Sequence, residues 1–547
     1  MSCWQPRHTS YASAVLLCTL LLGGCFDSAL SEYKRTGIIY CSESNPTSFN
    51  PQIDTSSTTS DAVAHQIYDR LLEFDQNTGR IIPGLASSWR VSDDGLTYTF
   101  QLRRNVAFHT TSYFQPTRNF NADDVIFSFK RWSDPNHPYH DVNGGLYPYF
   151  DSLDLANTIA SIERINGYRV EIKLYQQDSS FLANLATDFS VILSAQYGAH
   201  LSNQGNPEQI DFLPIGTGPY AFVDYRKDQF IRFAPHAQYW GQTERPQQLI
   251  FDITPSSSIR FAKLVTGECD TIAYPSQNEL AAMQLNDNIV VQEAAGLNIG
   301  FWAFNTSKAP FDNPKVRRAL ALAIDKNTIM DAVYFDSATR ARSIVPPASW
   351  AFSADIPDLS YNPVQARALL AEAGYPNGFS MNLYAMPVVR DYNPDAKRMA
   401  ELIRGYLAEI GVTTDIVTAE WDAFRTQLAQ GLHDSVLIGW SADNGDPDNF
   451  YRPLLTCSAI PSSTNRAMWC NDEYDKAINA ALLTNDIDAR KTYYQQANKL
   501  IATQLPLVPI AHAYRYRVHR DDVLGLSINP YGGIQFSEVK KTQQVQP

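Results

Sequence analysis

A chain of 547 residues is too long for one ordinary hydrophobic core and divides into two or three domains. With 44% hydrophobic and 18% charged residues it is globular, and its formal net charge of −13 disfavours nucleic acid or an anionic membrane surface as partner. An acidic exterior fits cationic ligands, or ordinary solvated charge on an exported protein.

The chain opens on a targeting segment. Arg7 and His8 give a thin positive start, residues 11–22 are a short apolar run, and LGGC at 22–25 has the small residues of a lipobox ahead of Cys25, the expected lipidation site. A run this short does not span a membrane, and a lipid anchors without spanning. Phe26 stands where Asp would signal inner-membrane retention, which leaves the anchoring membrane open. Export implies that Cys41, Cys269, Cys457 and Cys470 are oxidised. Four cysteines allow three pairings, and the sequence alone does not choose.

Residues 36–41 (TGIIYC) predict a short strand, followed by a turn at Phe49, Asn50 and Pro51. In 84–109 (GLASSWRVSDDGLTYTFQLRRNVAFH), Leu96, Tyr98, Phe100 and Leu102 alternate with polar residues after an Asp94-Gly95 turn, which predicts a half-buried strand. Val170, Ile172 and Leu174 repeat the pattern. Between them 121–131 (NADDVIFSFKR) predicts a capped helix, and together the pieces form a small α+β domain. His137 and His140 in HPYH have no evident third ligand and read as a surface loop. GTGPY at 216–220 precedes no GK[ST] and predicts a tight turn, not a phosphate cradle.

From Asn298 onward helices alternate with strands, the mark of an α/β domain. Asn313 caps a helix opening on Pro314; further helices cover 363–373 and 396–410, stopping at Gly374 and Gly411. Met399, Leu402, Ile403, Tyr406, Leu407 and Ile410 form one apolar stripe. Strands are predicted at 412–418 and 435–440. The second runs into GWSADNGDPDNF (439–450), which delivers Asp443, Asp446 and Asp448 to a polar loop. No GxSxG, HExxH or Walker motif occurs, so nothing points to an enzyme.

These residues carry a resemblance. Cys457 and Cys470 stand 13 residues apart, and Cys41 and Cys269 228 apart. With the 84–109 stretch and the 439–450 loop, they make the chain similar to the family 5 periplasmic peptide-binding proteins, the peptide and nickel receptors of ABC importers, from about Gly37 to about Glu538. YPYFDSL, LVTGECD, ASWAF and FYRPLLTCSAI look most like the Sap-type receptors linked to antimicrobial-peptide sensitivity, while the binding loops look like the dipeptide receptors.

The resemblance implies the fold. It is α/β, periplasmic binding protein type II-like, with two lobes, an extra third domain and a two-strand hinge near 293–297 and 513–516. Domain I would comprise 36–66, 217–293 and 514–542, domain II 67–216, and domain III 297–513, after a leader over 1–25. The cysteines would pair Cys41 with Cys269 and Cys457 with Cys470.

The resemblance also implies a site. Asp443 would hold a peptide's ammonium and Arg390, with its planar fork, the carboxylate. Tyr40, Tyr392 and Trp440 would wall the cleft beside Gly439, and backbone would pair with the peptide as an added strand. The implied protein is a periplasmic, lipid-anchored monomer that needs no cofactor or metal. It hands short peptides to a membrane permease whose ATPase is a separate subunit. Rival readings are a receptor for antimicrobial peptides or haem, an interaction protein with a vestigial cleft, and a secreted hydrolase.

Overall fold

The computed structural model describes Met1 and residues 37–75, 78–241 and 245–542, so Cys25 and the rest of the leader lie outside the described residues. The frame is a 12-stranded mixed sheet. Its order runs Thr413–Val417, Ser380–Ala385, Ser435–Ser441, Asn298–Phe304, Leu507–Arg520, Thr271–Ile272, Gly37–Ser42, Gln248–Ile253, Phe230–Pro235, Tyr220–Arg226. Leu507–Arg520 is the spine. Its first half pairs with Asn298–Phe304 and Ala338–Arg340, and its second with Ile289–Ala295, in register from Tyr514 opposite Ala295 to Arg520 opposite Ile289. The chain thus crosses between the halves of the sheet at 295–298 and at 513–514, a two-strand hinge of the kind the resemblance implied.

Apolar side chains collect on either side of that crossing. One large core draws on residues between Ile299 and Ala513, the other on residues between Ile38 and Ala273 together with Val523 to Val539. Each half therefore buries its own hydrophobic surface, which lets the halves move as lobes about the two strands.

The local predictions of the first lobe hold. Tyr98, Phe100 and Leu102 of Thr97–Leu102 are buried, as are Val170, Ile172 and Leu174 of Arg169–Leu174, and the two strands pair inside a four-stranded antiparallel sheet. Asn121 and Asp124 close a capping box on helix Ala122–Ser133. The glycines of GTGPY serve close approach of two backbones. A Cβ at Gly216 would lie 2.0 Å from the Ile67 carbonyl oxygen, which also accepts the Gly218 amide at 2.8 Å.

In the second lobe helices Pro363–Glu372 and Ala396–Glu409 run out at Gly374 and Gly411, whose φ of +95° and +83° suit glycine. Met399, Ile403, Leu407 and Ile410 are buried, while Leu402 and Tyr406 are only partly so. Ser380–Ala385 runs parallel to both Thr413–Val417 and Ser435–Ser441, as βα alternation requires. Two disulfides staple the molecule: Cys41–Cys269 in the first lobe, with Cα atoms 5.9 Å apart, and Cys457–Cys470, at 4.6 Å, just beyond the 439–450 loop.

Candidate functional site

A cleft with two chambers lies between the lobes. Both touch Thr55, Ser57, Phe189, Tyr392, Ser441 and Asp443. One continues over Tyr40, Asp61, Tyr274, Arg390, Arg515 and Arg517; the other over Phe301, Trp421, Arg425, Trp440, Leu454 and Arg466. All six residues singled out in the sequence therefore meet at one cleft.

The lobes are clasped across it. Arg390 pairs with Glu43 at 3.3 Å, Arg425 with Asp54 at 3.2 Å and Arg452 with Asp178 at 3.1 Å, and the Asn444 side-chain amide donates to Asn184 Oδ1 at 3.1 Å. This is a closed arrangement.

The acidic loop is built by its own polar side chains. Asn444 Oδ1 accepts the Asp446 amide and Asp446 Oδ1 accepts the Asp448 amide, each at 2.9 Å, successive Asx turns. Two hydrogen bonds of 2.7 and 2.8 Å from Arg490 hold Asp446, while Asp448 pairs with Arg452. Asn449 Oδ1 takes the Asp443 amide at 3.0 Å and the Trp440 indole N–H at 3.2 Å. Asp446 and Asp448 are thus structural. The Asp443 carboxylate is different: among the described residues no cation pairs with it. Burial, and next the nearby Asp188 carboxylate, push its pKa well above the usual range.

Arg390 is the opposite case. It is buried, donates to its neighbour's carbonyl on Val389 at 2.8 Å, and lies with its guanidinium 5.0 Å from the Tyr274 ring centroid. Burial works against its charge, but Tyr274 and Glu43 outweigh that and keep it firmly cationic. Glu43 is itself bound by the Thr58 hydroxyl at 2.6 Å. The fork is thereby fixed in orientation.

The other predicted residues have mixed duties. Gly300 and Gly439 face each other across paired strands, and the Tyr392 segment lies over both. A Cβ on Gly439 would fall 2.3 Å from the Tyr392 ring, and one on Gly300 2.1 Å from its carbonyl oxygen. Gly439 lines the second chamber and seats Tyr392. Tyr40 donates its hydroxyl to Asp61 at 3.0 Å and packs edge-on against Phe251 with ring centroids 4.8 Å apart. Burial pushes Asp61 up to about 7.

Sequence reasoning missed Glu43, Asp61, Tyr274, Arg466, Arg515 and Arg517. For the last two a signal existed: RYRVHR continues the hinge strand, and residues two apart in a strand share a face. Cys457, Cys470 and Asp472 lie close enough for a metal, but the cysteines are oxidised and offer no thiolate.

Known proteins resemble the chain over most of its length. Residues 80–462 match the model of the bacterial extracellular solute-binding proteins, family 5 Middle. The chain is 43% identical to heme-binding protein A of Haemophilus influenzae over 94% of its length and 96% of that protein's. It is 42% identical to the dipeptide-binding protein of Escherichia coli, covering 92% of this chain and 94% of the other. A crystal structure of a dipeptide binding protein from Pseudoalteromonas in complex with Met-Leu superimposes with a TM-score of 0.90 at 47% identity, covering 92% of this chain and all of the other, 100%.

Proposed function

The chain belongs to family 5 of the bacterial extracellular solute-binding proteins, and from that premise we propose that it captures short peptides in the interlobe cleft and delivers them to the permease of an ABC importer. It is a binding component and not an enzyme, and it acts outside the cytoplasm. Among the described residues no helix is long and apolar enough to cross a membrane.

The observation that carries the reading is Asp443, a cleft carboxylate raised by burial and, among the described residues, without a cation. A burial cost of that kind is relieved by an arriving ammonium. Arg390, pre-oriented by Glu43 and Tyr274, then takes the terminal carboxylate by sharing its fork. The fixed separation of the two anchors favours short peptides. Tyr40, Tyr392 and Trp440 wall the space between, with Gly439 keeping room for Tyr392. In this reading the chain has the three-domain division set out above, works as a monomer, carries a lipid on Cys25, and depends on a separate ATPase subunit. Identity to a heme-binding relative supports a second reading, in which the same cleft takes haem.

Native mass spectrometry of the unlipidated protein, followed by denaturation and identification of the released ligand, tests both. Co-purified dipeptides and tripeptides of mixed sequence support peptide capture. A released haem, or a cleft that ignores added dipeptides, overturns it.

A further inference from the structure

The second chamber contains a charge that peptide capture, as described so far, leaves unused. Arg466 lines it beside Trp421, Trp440, Leu454 and Asp443. Among the described residues no acid pairs with its guanidinium, and its buried Nη1 has no hydrogen-bond partner. The chamber's other arginine, Arg425, is matched by Asp54 at 3.2 Å. Burial, and next the charge of Arg425, pull Arg466 down to about 10, the behaviour of a partly buried cation short of counter-charge.

Asp443 and Arg466 thus line one chamber, and among the described residues neither has an ion-pair partner. Resting on the peptide-capture reading, we propose that this chamber receives the side chain of the peptide's N-terminal residue and that Arg466 makes it selective for an acidic one, aspartate or glutamate. Asp443 touches both chambers. The residue whose ammonium it holds therefore has its side chain at the mouth of the second chamber. Trp421, Trp440 and Leu454 offer apolar surface to the methylene stem, and the guanidinium fork matches a carboxylate in geometry and charge. Tyr392 spans the junction, so the backbone of the same residue can remain in the first chamber while its side chain enters the second.

Isothermal titration calorimetry with Glu-Ala, Gln-Ala, Ala-Glu and Ala-Gln tests this. Glu-Ala is expected to bind about tenfold or more tighter than its isostere Gln-Ala, as a charge-assisted bidentate contact implies, with a smaller ratio between Ala-Glu and Ala-Gln. In Arg466→Gln the Glu-Ala to Gln-Ala ratio falls toward unity, and Arg466→Lys retains part of it. The wild-type comparison decides the matter even where a variant fails to fold. Equal binding of Glu-Ala and Gln-Ala, or a gain confined to Ala-Glu, overturns the selectivity while leaving peptide capture standing. No binding by any of the four overturns peptide capture itself and this inference with it.

Discussion

Replacing Asp443 with asparagine removes one charge and keeps the shape of a side chain at the junction of both chambers. Its effects on stability and on binding have opposite signs. Burial and Asp188 raise the carboxyl's pKa in the folded protein. A group raised on folding contributes stability below its unfolded value, about 4 for an aspartate, and loses that contribution as pH rises through the folded value. Asp443→Asn is therefore expected to raise the Tm of the ligand-free protein at about pH 8 and to change it little at about pH 4. Binding goes the other way. Removing one partner of a buried, hydrogen-bonded charge pair costs about 2–5 kcal/mol, which is roughly 30-fold to several-thousand-fold in Kd. An N-acetylated dipeptide brings no ammonium and is expected to lose far less. The ammonium also favours the ionised carboxylate, so wild-type binding releases protons and its enthalpy depends on the buffer, whereas the variant's does not. Calorimetry in two buffers with Ala-Ala and N-acetyl-Ala-Ala reads all of this. Equal loss for both peptides, or a lower Tm for the variant at about pH 8, would refute the assignment.

Other groups in and around the cleft give further tests. Arg390→Lys keeps a positive charge against Glu43 but replaces a fork with a point charge, so dipeptide affinity is expected to drop about tenfold; unchanged affinity by calorimetry removes Arg390 from the site. Arg452→Met strips the counter-charge from buried Asp178 and Asp448 and a donor from the Leu153 carbonyl. The expected loss is about 3–5 kcal/mol in urea denaturation, with a more open molecule by small-angle scattering; a loss under about 1 kcal/mol contradicts that account. Asp61, raised to about 7 mainly by burial, contributes stability that is full below an aspartate's unfolded value and disappears as pH rises through about 7. Asp61→Asn should flatten that segment of the stability profile, and an unaltered slope in denaturation midpoints between those values argues against it.

How much of this was legible in the chain depends on the range of the interaction. Local patterns were read well: the alternation around Tyr98, the capping box at Asn121, and the helix stops at Gly374 and Gly411 each depend on neighbours in sequence. The acidic loop was legible as a loop, because Asx turns at Asn444 and Asp446 are written in consecutive residues. What residues alone could not supply was which aspartate is free. Asp446 is taken by Arg490, 44 residues on, and Asp448 shares Arg452 with Asp178, far upstream. Glu43 was missed for the same reason: its partner Arg390 is 347 residues away, and only closure of the lobes joins them. Arg466 carried no motif at all. Its significance is that among the described residues no acid pairs with its guanidinium, which becomes visible only in the folded chain.

The same distribution of charge bears on how a ligand closes the cleft. A ligand shifts an equilibrium only by its differential affinity for the two states. The interlobe pairs Arg390–Glu43, Arg425–Asp54 and Arg452–Asp178 form on closure with or without a ligand, since all their atoms belong to the protein. They set the baseline between open and closed forms. In the peptide-capture reading Asp443 would oppose closure, because the closed form buries an acid near Asp188 and, among the described residues, offers it no cation. In that reading a peptide ammonium would remove the penalty only in the closed form, where solvent no longer screens it. In the peptide-capture reading, recognition and closure would therefore be coupled through one carboxylate. A ligand without an amino group would fill the chambers yet leave the main obstacle to closure in place, so its discrimination would lie in the conformational step as much as in contact.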